Sequence, residues 1–318
     1  SGERKGYSGT ATFLKEDCLK TSTQIGFPEF ENEGRFMITN HKDFDLYNIY
    51  FPNGGSKPER HEFKQRFLRD LNKHLKGVLD SGREVIVAGS VGPTGDIMLP
   101  VGTLSHSDAV EIFHEQAEGL KAGGADVLWL ETISAPEEYL AAAEAFELAD
   151  MPWVGTMSFD TAGHTMMGVT SAAMVKMVEG IKNAPLGFGA NCGTGASDLL
   201  RTVLGFAAQG SEKALVAKGN AGIPKYVDGH IHYDGTPELM GQYACLARDC
   251  GAKIIGGCCG TMPEHLSAMR KALETNAKSD APTLDKIVDA LGPFSSAGDG
   301  TEANAPTARK TRRSKRAS

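Results

Sequence analysis

Three of the six cysteines lie in glycine-rich segments. Cys192 lies within Gly-Ala-Asn-Cys-Gly at 189–193, and Cys258 and Cys259 lie within Gly-Gly-Cys-Cys-Gly at 256–260. Three thiolates form a tetrahedral zinc site with one open position, which is the arrangement of catalytic rather than structural zinc. Adjacent cysteines on an extended strand point to opposite sides, so both can bind one ion only if the chain turns, as the flanking glycines permit. The sequence therefore predicts Zn²⁺ at these three thiols.

Two alternative roles for these thiols stay open. Free cysteine is among the most buried residue types, so a Cys-Cys pair can simply fill a core. A disulfide between the adjacent Cys258 and Cys259 is a minor alternative. Cys245 and Cys250 lie within a helical pattern and are predicted to be buried filler, while Cys18 lacks a glycine-rich setting.

The elements that must position these thiols form a repeat. From residue 84 onward, a short apolar run, a polar or glycine-rich loop and an amphipathic helix follow one another six times. The runs cover 84–89, 125–130, 153–159, 186–191, 214–218 and 252–257, and the helical patterns cover 107–121, 136–148, 171–183, 197–209, 237–250 and 263–275. Strands that are apolar on both faces are typical of a parallel sheet covered by helices. Six βα units predict a (β/α)₈ barrel or a doubly wound sheet.

Polar or reactive residues follow several different strands, and this favours the barrel. All strand ends meet at one mouth in a barrel, whereas an open sheet has its site at one switch point. The residues are Ser90, Glu131, Asp160, Cys192, Asn220, Cys258 and Cys259. The predicted fold class is therefore α/β, a (β/α)₈ TIM-like barrel that lacks its first two βα units.

The first 80 residues follow a different pattern. Residues 10–14, 35–40 and 46–51 resemble short strands separated by polar turns, and 62–79 resembles a helix. Short strands joined by turns predict an antiparallel meander rather than βα units. We expect three parts: a foreign β-rich N-terminal fragment at 1–80, the barrel at 81–294 and a disordered basic tail at 295–318.

Composition limits the functions to be considered. The net charge is −7 although the tail carries six basic residues between 309 and 316, so the body is acidic and nucleic-acid binding is not favoured. No apolar run is long enough to span a membrane, and no apolar stretch follows the charged start of the chain. We therefore expect a cytoplasmic protein with reduced cysteines.

At these motifs the sequence resembles the homocysteine S-methyltransferase family. Within that family it is most similar to the bacterial proteins called betaine–homocysteine methyltransferases. The resemblance covers about 84–293. It is carried by Val-Ala-Gly-Ser-Val-Gly-Pro-Thr-Gly at 87–95, Trp-Leu-Glu-Thr at 129–132 and the two cysteine segments.

The resemblance implies a zinc-dependent enzyme of methionine biosynthesis. It would transfer a methyl group from betaine or a similar donor to the thiol of homocysteine, with zinc bound by Cys192, Cys258 and Cys259. Glu131 matches the glutamate that holds the substrate amino group, although a carboxylate here could instead cap the helix that begins near Pro136. The expected partners are small molecules, and no membrane is involved.

A second resemblance covers about 6–79. Segments at 5–12, 33–35 and 48–54 resemble exonuclease III type apurinic endonucleases, in which Tyr50 would match an active-site tyrosine. The next motif of that family, Gly-Asp-x-Asn, is absent, because Ser90 and Gly92 stand there. Without its carboxylates such a site cannot hold Mg²⁺, so DNA hydrolysis is not expected. A nucleic-acid binder and an inactive chimeric fusion are the alternative functions. An open barrel edge would also favour a homo-oligomer.

Overall fold

The computed structural model describes residues 20–31, 35–40, 44–49, 58–82, 84–223, 225–227 and 230–298. The predicted strand at 10–14, Cys18, Tyr50 and the basic residues of the tail lie outside these ranges. The strands are β1 Lys20–Ser22, β2 Phe36–Asn40, β3 Phe44–Ile49, β4 Glu84–Val91, β5 Val127–Ile133, β6 Trp153–Met157, β7 Gly187–Cys192, β8 Ala214–Gly219, β9 Lys225–Val227, β10 His230–His232 and β11 Ile254–Gly257. The helices are α1 Pro28–Glu31, α2 Pro58–Asp80, α3 His106–Ala122, α4 Pro136–Leu148, α5 Ser171–Glu179, α6 Ala196–Ala207, α7 Pro237–Asp249, α8 Pro263–Thr275 and α9 Leu284–Leu291.

Nine strands form one sheet in the order β1-β2-β3-β4-β5-β6-β7-β8-β11. The six strands β4 to β8 and β11 are parallel and form a curled half-barrel with helices between them. Within the described ranges no pairing joins β11 to β1, so the sheet is a partial barrel. The predicted α/β class is confirmed at this level.

The predicted βα repeat agrees closely with the observed elements. Helices α4 and α8 have the predicted bounds, since proline at the first helical position fixes each start. Helix α5 is shorter than predicted and ends at Glu179, because Gly180 forms its C-cap. The short antiparallel pair β9–β10 lies between β8 and α7.

The N-terminal strands belong to the same sheet as the half-barrel. Strands β2 and β3 pair in antiparallel fashion as predicted, and β1, which the sequence did not indicate, pairs antiparallel with β2. Strand β3 pairs in parallel with β4, and α2 joins the two. This β3-α2-β4 crossover is the same type of unit that repeats further along the chain. The pairing adds a seventh parallel strand, which the sequence did not indicate. The foreign origin of this segment stays a prediction.

The apolar side chains form two clusters. The larger one lies between the half-barrel and helices α3 to α9, and it includes the fully buried Trp153. The smaller one packs α2 against β2, β3 and Val87 of β4, with Phe67, Leu71 and Leu75 at helical spacing. Ala125 packs against both clusters, so they meet beside β4 and β5.

Residues after α9 pack back onto α6. The buried ion pair between Asp198 and Arg201 lies at their centre, with 2.8 Å between Oδ1 and Nη2. The Ser295 backbone N–H donates to Asp198 Oδ2 at 3.0 Å, and Arg201 Nη1 donates to the Ser296 carbonyl at 3.1 Å. The first residues assigned to the tail therefore have fixed contacts.

No helix in the described part of the chain has the length and apolar character needed to cross a membrane. Cytoplasmic location, homo-oligomeric state and the boundaries at 80 and 294 stay predictions.

Candidate metal centre

The three glycine-flanked thiols lie together at the barrel mouth, meaning the carboxyl ends of the parallel strands. Cys192 is the last residue of β7, and Cys258 and Cys259 follow β11. The chain turns after β11, where the Thr261 N–H donates to the Cys258 carbonyl at 3.2 Å. The three Sγ atoms lie within 4.8 Å of one another, and those of Cys192 and Cys259 are 3.9 Å apart.

This geometry fits a tetrahedral zinc ion. With Zn–S bonds of about 2.3 Å, two thiolate ligands of a tetrahedral ion lie about 3.8 Å apart. The 3.9 Å between Cys192 and Cys259 agrees with that spacing. All three cysteines are free, so the disulfide between Cys258 and Cys259 is not formed. Among the described residues, this is the single group of three or more side chains placed to hold a metal.

Asn220 fixes the two cysteine segments relative to each other. Its Nδ2 donates to the Gly193 carbonyl at 2.8 Å, and its Oδ1 accepts from the Cys259 N–H at 3.0 Å. Cys192 has a φ of 63°, in the left-handed region that non-glycine residues seldom adopt. The strained backbone is therefore held by a buried amide one strand away.

Asn191 connects the same site to β5. Its Oδ1 accepts from the Thr132 N–H at 2.9 Å, and its Nδ2 donates to Thr132 Oγ1 at 2.8 Å. The same Nδ2 lies 3.7 Å from Cys258 Sγ. Thr132 also has a positive φ, of 65°, directly after Glu131. The buried amide of Asn191 thus helps to position both Glu131, through its neighbour Thr132, and the predicted zinc ligand Cys258.

Glu131 lies in the mouth as predicted. Its Oε1 accepts from Ser90 Oγ at 2.7 Å and its Oε2 from Lys218 Nζ at 2.8 Å. The N-cap of α4 is Ala135 and has no side-chain hydrogen bond, so Glu131 does not cap that helix. Burial opposes ionisation, but the charge of Lys218 and the hydrogen bonds from Lys218 and Ser90 hold the pKa of Glu131 below its ordinary value.

Lys218 is a site residue that the sequence interpretation missed. It is the fifth residue of β8, its side chain is 21% exposed, and its Nζ lies 5.2 Å from the centroid of the Trp129 ring. Burial lowers the pKa of Lys218, but the charges of Glu131 and Cys258 raise it by more. A lysine inside an otherwise apolar parallel strand was the available signal, because charged residues are seldom buried without a partner.

Tyr233 is the second residue that was missed. Its phenol is hydrogen bonded to Cys259, and burial followed by the charge of Cys259 raises the pKa of the phenol. Its ring lies against the backbone of Gly260, where an added Cβ would overlap it. The Gly235 N–H donates to the Ala221 carbonyl at 2.9 Å and anchors the loop. No local sequence pattern indicates that Tyr233 lies beside Cys259.

The thiols stay protonated more readily than an isolated cysteine. The hydrogen bond with Cys192 and then burial raise the pKa of Cys258. For Cys192, the hydrogen bond with Cys258 lowers the pKa, but the hydrogen bond with Cys259 and burial raise it by more. For Cys259, the hydrogen bond with Cys192 lowers the pKa, while the hydrogen bond with Cys258 and burial raise it by more. Metal binding here must displace protons.

Other polar residues near strand ends do not join the cluster. The exposed Asp160 accepts a hydrogen bond from its neighbour Thr161, and the His164 ring contacts the Ala162 carbonyl. His232 is exposed, and the side chain of His230 lies outside the described set.

The fold and the site together define a class of protein. These are α/β proteins with a partial barrel of parallel strands and a cluster of thiols at the carboxyl ends of those strands. The family model described as homocysteine S-methyltransferase matches residues 56–273. Because this match spans more than half of the chain, the protein belongs to the homocysteine S-methyltransferase family. The match begins within the segment assigned to the N-terminal fragment, before residue 84.

Solved structures with a similar fold include the homocysteine methyltransferase MmuM from Escherichia coli. Its apo form is 22% identical with a TM-score of 0.50, and the match covers 64% of this chain and 71% of that one. The metallated form is also 22% identical, with a TM-score of 0.47 and coverage of 64% and 68%. The likeness to the apo form supports the half-barrel fold.

Proposed function

We propose that this protein transfers a methyl group to the thiol of homocysteine, forming methionine, at a zinc ion held by Cys192, Cys258 and Cys259. The observation that carries the proposal is the meeting of three sulfur atoms from two strand ends at the barrel mouth. Membership of the homocysteine S-methyltransferase family supports the substrate class.

The reaction requires an activated sulfur nucleophile. A free thiol has a pKa of about 8.5 and is mostly protonated at neutral pH, while the thiolate is the reactive form. A zinc ion bound by three cysteines would lower the pKa of a substrate thiol and orient its sulfur. The sulfur electron pair forms the new S–CH₃ bond, and the electrons of the broken donor bond stay on the donor heteroatom.

One feature of the chain supports this substrate, and the chemistry of methyl transfer suggests the class of donor. The ionised Glu131 lies in the same mouth and suits the binding of an amino group. Betaine, or a similar donor with its methyl group on a positively charged nitrogen or sulfur, becomes less positive as the methyl group leaves. The proposed donor is therefore an onium compound.

Metal analysis and a methylation assay test the proposal. Reduced wild-type protein should contain one zinc ion per chain and form methionine from homocysteine and betaine or a sulfonium donor. Cys258→Ser should lose both properties, because the cluster loses a ligand. Cys245→Ser, which changes a cysteine of α7 outside the cluster, should keep both. Absence of stoichiometric zinc from the wild type, or an unaltered Cys258→Ser variant, would show the proposal to be wrong.

A further inference from the structure

Lys218 places a cation between the proposed amino-group binder and the thiols. Its Nζ contacts Glu131 Oε2 at 2.8 Å, and the charge of Cys258 also acts on it. Its neighbours in register are Asn191 on β7 and Gly256 on β11. Gly256 therefore presents no side chain beside Lys218 at this register position.

Lys218 has hydrogen-bonding capacity to spare. An ammonium group has three N–H donors, and among the described residues Glu131 is the one acceptor that Nζ contacts. The Trp129 indole, whose ring centroid lies 5.2 Å from this Nζ, has a buried Nε1–H with no partner in the described part of the chain. A buried donor without a partner is costly, so such donors indicate that an acceptor binds in the mouth.

The ion pair sets a condition on any amino group that binds Glu131. A substrate ammonium at this carboxylate would lie close to the Lys218 ammonium, because both would contact the same group. Glu131 supplies one negative charge against these two positive charges, so a second anion beside them is needed to balance the partly buried site. An α-amino acid carries such an anion, since its carboxylate is bonded to the carbon that bears the ammonium.

We propose that Lys218 binds the carboxylate of the substrate while it keeps its contact with Glu131. Substrate ammonium, Glu131, Lys218 and substrate carboxylate then form four alternating charges. The mouth therefore selects thiols that carry both an α-ammonium and an α-carboxylate. This inference rests on the proposed function and makes Lys218 a specificity-determining residue.

Binding measurements on the zinc-loaded protein test this role. L-Homocysteine is compared with 3-aminopropane-1-thiol, which lacks the carboxylate, and with 4-sulfanylbutanoate, which lacks the amine. Wild-type protein should bind L-homocysteine about 10- to 100-fold more tightly than 3-aminopropane-1-thiol, as expected for a hydrogen bond between charged groups. Lys218→Met should bind these two thiols with similar affinity. Lys218→Arg keeps the charge and should retain a preference for L-homocysteine.

The matched control is Lys182→Met. Lys182 follows α5 and pairs with Glu147 of α4, and its side chain is 88% exposed, so its loss should leave the preference unchanged. Zinc content of each variant is measured in parallel. If Lys218→Met loses zinc, the test is the comparison of the two thiols on the wild-type protein. Equal affinities of the wild type for L-homocysteine and 3-aminopropane-1-thiol would overturn the inference.

The two proposals fail in different ways. If the zinc-loaded wild type binds and methylates homocysteine but Lys218→Met keeps the full preference over 3-aminopropane-1-thiol, only the role of Lys218 is wrong. If the wild type binds none of the three thiols, the proposed function is wrong and the role of Lys218 falls with it.

Discussion

The Tyr233 phenol interacts with Cys259 as a hydrogen-bond donor that lowers the pKa of this thiol. A donor at the sulfur favours the thiolate over the thiol, so it favours metal binding at neutral pH. We expect Tyr233→Phe to weaken zinc binding by about tenfold without unfolding the protein. Competition with a chromophoric chelator measures the change.

The neighbouring His232→Ala is the control for this variant, because His232 is exposed and lies outside the thiol cluster. It should bind zinc with wild-type affinity. Equal affinities of Tyr233→Phe and wild type would show that the phenol does not support the ligand.

The protonation of the cluster predicts a steep pH dependence of metal binding. The pKa of each of Cys192, Cys258 and Cys259 is raised, and each thiol must lose its proton to bind zinc. Below these raised values, each proton displaced makes binding weaker by up to about tenfold per pH unit as the pH falls. Zinc affinity should therefore rise with pH throughout the neutral range. An affinity that stays constant between about pH 6 and pH 8 would contradict this protonation state.

At the scale of elements, the strands and helices of the half-barrel were predictable because the signals are local. The runs at 153–159 and 214–218 are apolar on both faces, and Pro136 and Pro263 fix helix starts. The position of Cys192 at a strand end followed from the same pattern.

The rest depends on contacts between distant elements. Lys218 meets Glu131 across 87 residues of chain because the curled sheet brings β8 towards β5. The parallel pairing of β3 with β4 likewise depends on how α2 packs, which no short stretch of sequence specifies. The periodicity of apolar residues locates helices and strands, but it does not specify which strands pair with each other in the sheet.

Close approach between β7 and β8 predicts a large effect of one methyl group. A Cβ at Gly189 would overlap the backbone of Val216, so Gly189→Ala should destabilise the fold by about 1–3 kcal/mol. The matched Gly119→Ala lies in α3 with open space around it and should stabilise by about 0.5–1 kcal/mol. Denaturant unfolding measures both, and equal effects would contradict the close contact.

At the scale of the whole molecule, the segment after α9 belongs to the folded body. The centroid of the Phe294 ring lies 4.4 Å from Cζ of Arg201. Ser295 and Ser296 form hydrogen bonds with the Asp198–Arg201 ion pair. A chain ending at residue 292 should lose about 1–3 kcal/mol of stability through these charge-assisted contacts. A chain ending at residue 298 should match the full-length protein in denaturant unfolding. Equal stability of the two shortened chains would contradict this role.

The order of the sheet separates its N-terminal strands from the thiols. Strands β1 to β3 occupy one edge, whereas Cys192 ends β7, Lys218 lies in β8, and Cys258 and Cys259 follow β11 at the opposite edge. Substitution, insertion or exchange at the first edge leaves the spacing of the sulfur atoms intact, because β4 to β6 lie between them. We therefore expect the geometry of the thiols to tolerate changes at the N-terminal edge better than changes in β7, β8 or β11.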